Sequence, residues 1–112
     1  KLVIGGFSQG AMVSVETVAT AKTAPAGLIA FSGTLIRESA WRAGLARHTG
    51  LPVFQSHGEY DMVLPYIGGV WLKELFEASG QALSFVQFPG GHEIPWEALE
   101  GAAAFLRERC RD

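Results

Sequence analysis

The sequence predicts an α/β fold, with about four parallel strands joined by crossover helices. Three observations carry this prediction. Strand-like and helix-like runs alternate four times along the 112 residues. Two of the strand-like runs, near Leu28 and Val53, are apolar without clean alternation, as expected of strands covered on both faces. A glycine-flanked pentapeptide, Gly6-Phe7-Ser8-Gln9-Gly10, stands between the first strand-like run and the first helix-like run.

The run Lys1-Leu2-Val3-Ile4-Gly5 reads as the first strand, with its body from Leu2 to Gly5, and Ala11 to Lys22 as the first helix. Gly27-Leu28-Ile29-Ala30-Phe31 is the second strand, closed by Ser32-Gly33. A short helical stretch spans Glu38 to Arg47, and Val53 to Ser56 is the third strand. Pro65 opens a helix to Ser79, with Gly80 as its stop, because proline suits a first helical turn and glycine a residue just past the last. Leu83 to Phe88 is the fourth strand, and Pro95 opens a last helix to about Arg109. There Trp96, Leu99, Ala103, Leu106 and Cys110 recur at three- and four-residue steps and predict one buried stripe. Cys110, on that stripe, is expected to be a small core thiol. Glu97 and Glu100 near the start of this helix, and Arg107 and Arg109 near its end, complement the helix dipole. The alternation argues right-handed crossovers, and with no repeat, linker or low-complexity segment, residues 1–112 read as part of one domain.

Apolar residues make up 48% of the chain and charged residues 18%, which argues a packed core and against disorder. A net charge of −2 offers no basic footprint for nucleic acid or an anionic membrane. The apolar runs are too short to span a bilayer. One cysteine cannot form a disulfide within the chain, and a reducing, cytoplasmic compartment is the expectation. The chain starts at Lys1, inside an apolar strand-like run, and that start reads as a fragment of a longer protein.

A G-x-S-x-G pattern between a strand and a helix is the setting of a nucleophile elbow. The sharp turn exposes Ser8 Oγ at the strand's end, and Gly6 and Gly10 are expected to supply the small neighbours such a turn needs. The N–H of Gln9 then points where an oxyanion would form. The plainer reading of Ser8 is an ordinary glycine-rich turn or a phosphate-cradling loop, but no Lys or Thr follows at P-loop spacing. Asp61 follows the third strand and His92 the fourth, in the order nucleophile, acid, histidine of one class of hydrolases. Imidazole suits a general base that later returns the proton, so His92 is assigned that part. Of the other histidines, His48 is expected to be a solvated loop residue and His57 a packed or hydrogen-bonded one. Asp61 is the expected orienting acid, with Glu59 and Glu93 as rivals. No H-x-x-x-H or C-x-x-C pattern suggests a metal, and the Gly-Gly pairs form no dinucleotide fingerprint, so neither metal nor cofactor is expected.

Four stretches together resemble the phospholipase/carboxylesterase family: Gly5-Gly6-Phe7-Ser8-Gln9-Gly10, Ser32-Gly33, His57-Gly58-Glu59-Tyr60-Asp61-Met62-Val63-Leu64-Pro65 and Gly91-His92-Glu93-Ile94. The resemblance covers essentially the whole chain. It implies the C-terminal half of an α/β-hydrolase domain, no cofactor, and hydrolysis of small-molecule esters or thioesters. On it the nucleophile falls on Ser8, the acid on Asp61, the histidine on His92 and the first oxyanion donor on Gln9. It also implies an N-terminal half, absent here, carrying further strands and a His-Gly loop that gives the second oxyanion N–H. That half, or a homodimer partner, is the expected cover for the first strand's free edge. Leu35, Ile36, Met62, Val63, Leu64 and Ile94 are candidates for an acyl pocket, against plain packing. The rival readings are a serine peptidase of the same fold and a non-catalytic fragment that only folds or binds.

Overall fold

The computed structural model describes residues 2–111; Lys1, at the head of the first strand-like run, lies outside them. Val3–Phe7 forms β1 and Gln9–Thr20 forms α1. Gly27–Phe31 is β2, and Glu38–Leu45 is α2, which tightens into a 3-10 turn over Ala46–His48. Pro52–Gly58 is β3, Tyr66–Ala78 is α3, Ala82–Phe88 is β4 and Trp96–Arg109 is α4. The strands form one parallel sheet in the order β1-β2-β3-β4.

Every expected element is present, and the shifted ends carry information. β1 runs past Gly5 to Phe7, and α1 starts at Gln9 rather than Ala11, so the turn between them narrows to Ser8 alone. β3 continues past Ser56 because His57 and Gly58 pair with Gln87 and Phe88 of β4. The register aligns Phe7 with Phe31, Phe31 with Ser56, and Gly58 with Phe88. Ser8, Asp61 and His92 therefore all leave the sheet at its C-terminal edge, where open parallel sheets gather their functional loops.

Three helices cover one face of the sheet. Val15 and Val18 of α1, Trp41 and Leu45 of α2, and Leu72, Leu75 and Phe76 of α3 bury themselves against Leu28 and Val53. The other face carries α4, through Ala102 and Phe105, against Ile29, Phe54, Phe31 and Val86. β2 is buried from Gly27 to Ala30 and β3 from Val53 to Gly58, as the unalternating apolar runs predict.

The last helix turns the other way from its sequence pattern. Trp96 is 72% exposed, Leu99 45% and Leu106 40%, and Ala103 and Cys110 are also exposed. The expected buried stripe faces outward, and Cys110 is a surface thiol. Beside Phe105, the residues against the sheet are small: Ala98 and Ala102 are buried, and a Cβ on Gly101 would stand 2.7 Å from the Phe54 ring. The helix backbone sits close over the Phe54 ring of β3, and its own Phe105 ring packs 6.1 Å from that ring. Small residues allow that close approach, and Trp96, Leu99 and Leu106 are displaced to the far side.

Candidate active site

Ser8 occupies the whole turn between β1 and α1. Its backbone has φ 59° and ψ −119°, a conformation that L-residues rarely adopt. The Ser8 N–H donates to Phe31 O at 2.8 Å, which ties the turn to β2. Ser8 O accepts from the N–H groups of Ala11 and Met12. The side chain, though at the N-cap, caps nothing. Its hydroxyl instead lies 2.9 Å from His92 Nε2. A Cβ on Gly6 would stand 2.4 Å from the carbonyl group of Gly10, so the turn demands glycine there. A Cβ on Gly10 would meet open space, contrary to the expectation that both glycines are needed. The crowding is one-sided because the strand residue points into the helix start, and the helix residue points away.

His92 hangs on the loop after β4. The loop is pinned to the end of β3, where Glu59 N–H donates to Phe88 O and Tyr60 N–H to Gly90 O, each at 2.9 Å. Phe7, the unspecified residue before the serine in the motif, packs its ring 4.8 Å from the imidazole. Nothing in the pattern of sequence marks Phe7; the parallel register brings it there.

Asp61 is buried, with its Oδ2 2.7 Å from His92 Nδ1. Its Oδ1 accepts from the N–H groups of Val63 at 2.9 Å and Leu64 at 2.8 Å. Burial pushes this carboxyl up, but the hydrogen bonds from His92, Leu64 and Val63 outweigh it and hold the group below the ordinary aspartate value. An ionised carboxylate only accepts, so His92 Nδ1 carries the proton and its Nε2 lone pair faces the Ser8 hydroxyl. Neither rival acid reaches the histidine. Glu93 curls back to accept from Gly91 N–H at 3.2 Å, and Glu59 is exposed.

Gln9 is exposed at the first position of α1, where its N–H has no carbonyl four residues back within the helix. His57 is fully buried, as expected of a packed histidine, with Nε2 2.7 Å from Leu64 O. His48 departs from expectation. It is buried, and its Nε2 lies 2.9 Å from Ala21 O, a carbonyl at the C-terminal end of α1. Helix ends leave carbonyls without intrahelical partners, and an imidazole N–H satisfies this one.

The six candidate acyl-pocket residues lie in different surroundings. Met62 is 92% exposed, Val63 is exposed, and Leu64 and Ile94 are half-buried. Leu35 and Ile36 line a cleft of about 530 Å³ with Trp71 and Leu75, between α2 and α3. Ile36 also borders a groove of about 420 Å³ that reaches the elbow at Gln9 and runs past Met12 and Val13. The tip of the 61–64 turn points outward because its N–H groups turn inward to Asp61. Among the described residues, no helix is long and apolar enough to cross a membrane, and no cluster of three or more His, Cys, Asp or Glu could hold a metal ion.

Residues 1–110 match the profile of the family described as Phospholipase/Carboxylesterase. Acyl-protein thioesterase 1 of Neurospora crassa is 34% identical over 113 residues, an alignment that covers 97% of this chain and 46% of that protein. Acyl-protein thioesterase 1 of Debaryomyces hansenii is 36% identical over 109 residues, covering 95% of this chain and 47% of the relative. The crystal structure of esterase PE8 superposes with a TM-score of 0.78 at 34% identity, over 95% of this chain and 49% of that one. Arabidopsis thaliana SOBER1 superposes with a TM-score of 0.83 at 22% identity, over 97% of this chain and 53% of that one, a likeness of fold. The chain spans about half the length of the curated relatives it matches. Parallel sheet, elbow and profile agree, and the chain belongs to the phospholipase/carboxylesterase family of α/β-hydrolases.

Proposed function

We propose that this chain is the C-terminal half of a serine esterase or thioesterase domain, and that Ser8, His92 and Asp61 are its catalytic triad. One observation carries the reading: an unbroken relay from Ser8 Oγ through the His92 ring to Asp61, with contacts of 2.9 and 2.7 Å. Ser8 Oγ attacks the acyl carbon as its proton passes to His92 Nε2. Asp61 holds the ring in the tautomer this requires and stabilises the imidazolium that results. The oxyanion accepts from Gln9 N–H. Collapse expels the alcohol or thiol, which takes the proton from His92, and leaves the acyl group on Ser8. Water then attacks the acyl-enzyme, gives its proton to His92, and releases the carboxylic acid with Ser8 restored.

The groove past Gln9, Met12, Val13 and Ile36 is the surface on which an acyl chain bonded to Ser8 would lie, since it combines apolar lining with contact to the elbow. The remaining half of the domain would supply the second oxyanion donor and the neighbour of β1. A cytoplasmic location goes with this reading. In the full-length protein, a fluorophosphonate probe is expected to label Ser8, as mapped by mass spectrometry of the digested adduct. A label on Ser32 or Ser56, or on no serine, would overturn the assignment. Faster cleavage of peptides than of short acyl esters would favour a peptidase of the same fold.

A further inference from the structure

The proposed mechanism gives no part to His57, a buried imidazole beside the triad carboxylate. His57 is the next-to-last residue of β3, with its side chain wholly enclosed. Its Nε2 lies 2.7 Å from Leu64 O. A carbonyl only accepts, so Nε2 carries a proton and donates. The same nitrogen stands 3.4 Å from Asp61 Oδ2, the oxygen that receives His92. Asp61 Oδ1 meanwhile accepts from Leu64 N–H at 2.8 Å. Leu64 is therefore gripped at both ends, its N–H by Asp61 and its C=O by His57, and the three residues close a ring.

The imidazole itself has little freedom to turn. Gly69 of α3 lies so close that a Cβ there would stand 2.5 Å from His57 Nδ1, and the Tyr66 ring meets His57 edge-on at 6.0 Å. Nδ1 is buried without a hydrogen-bond partner. A residue kept only for packing would be better served by an apolar side chain, which leaves no polar atom unmatched. A carboxylate offers about four acceptor directions. Here Val63 N–H, Leu64 N–H and His92 take three, and His57 Nε2 lies 3.4 Å from Oδ2.

We propose that His57 is a positioning residue for the triad: through its bond to Leu64 O and its approach to Asp61 Oδ2 it holds the 61–64 turn, and with it the carboxylate orientation that His92 needs. The inference rests on the reading of Asp61 as the triad acid. It assigns His57 no proton transfer and no contact with substrate.

The test is a double-mutant cycle in the full-length protein, with hydrolysis of a short p-nitrophenyl ester measured well below the melting temperature of each variant. His57→Leu removes the donor and is expected to lower kcat by about 10–100-fold, the scale on which partners of a functional ligand act, with KM within about twofold. His57→Gln, which can present an amide N–H near the Nε2 position, recovers most of the loss. In an Asp61→Ala background, His57→Leu changes the remaining kcat by less than about twofold, because residues acting through one another are not additive. If His57→Leu does not fold, His57→Asn, whose amide is too short to reach Leu64 O, takes its place in the cycle. An equal fold-loss in both backgrounds, no loss at all, or a Gln variant no better than Leu would each overturn the positioning role. If Asp61→Ala alone leaves kcat unchanged, the triad reading fails and the inference falls with it, an outcome distinct from the others.

Discussion

The two sides of the site are built to different standards. On the acid side, Asp61 is held by two backbone N–H groups and two histidines approach it, and the loops after β3 and β4 are bonded to each other through Glu59, Tyr60, Phe88 and Gly90. On the nucleophile side, β1 is an edge of the sheet among the described residues, Leu2 and Phe7 are exposed, and the proposed oxyanion site has Gln9 N–H alone. The difference teaches which part of the chemistry is local. The proton relay proposed above draws on the ends of β3 and β4 and the turn after β1, all among the described residues. The proposed second oxyanion donor and a cover for β1 would both come from beyond β1's outer edge. An apolar edge with unpaired N–H and C=O groups invites pairing with another strand.

The largest expected effect comes from cutting the acid side. His92→Ala should lower kcat by about 10⁴–10⁶-fold, the scale on which triad residues act. His48→Ala should leave kcat within about twofold and cost about 1–3 kcal/mol of stability, because it leaves Ala21 O short of a buried partner. Steady-state kinetics and thermal melts separate the two. Equal kcat losses would erase the distinction between relay histidine and structural histidine.

A smaller effect is expected on the nucleophile side. With one oxyanion donor instead of two, ester turnover by the 112-residue chain alone should be about 10²–10³-fold below that of the chain mixed with the complementary N-terminal half. Light scattering on the chain alone should show self-association through the β1 edge. A stable monomer as active as the complemented protein would show that neither the edge nor the second donor matters.

The smallest effect concerns pH. The Asp61 carboxyl lies below its ordinary value of 3.8 in the folded chain, so the stabilisation it brings is present above that value and is lost as pH falls through the lower, folded value. Melting temperatures of the parent and Asp61→Asn should therefore differ most near neutrality and converge as pH falls below about 4. A gap that stays constant down to pH 2 would mean that the Asp61 hydrogen bonds do not depend on its charge.

Much of this was legible in the sequence. The sharp turn at Ser8 and the need for Gly6 read correctly because these are backbone demands, met within a few residues. The burial of β2 and β3 read correctly because strands covered on both faces must be apolar throughout. The last helix did not. Its heptad-like spacing of Trp96, Leu99 and Leu106 is real, but periodicity reports only that a stripe exists, and the sheet below had room for alanine and glycine. His48 looked like loop, since the carbonyl it serves belongs to α1, distant in sequence. Met62 and Val63 face outward because neighbours in a turn need not point the same way.

The amino-acid sequence by itself determined the order of strands and helices, the sharp turn at Ser8 and the residue types needed for a proton relay, all consequences of local backbone geometry and side-chain chemistry. Only the tertiary structure decided that Asp61 rather than Glu59 or Glu93 meets His92, that Phe7 lies beside the imidazole, that His57 closes on Leu64, and which face of α4 touches the sheet. Those are contacts between segments far apart in the chain, and their geometry follows from the parallel register and from the volumes that must fit between the layers.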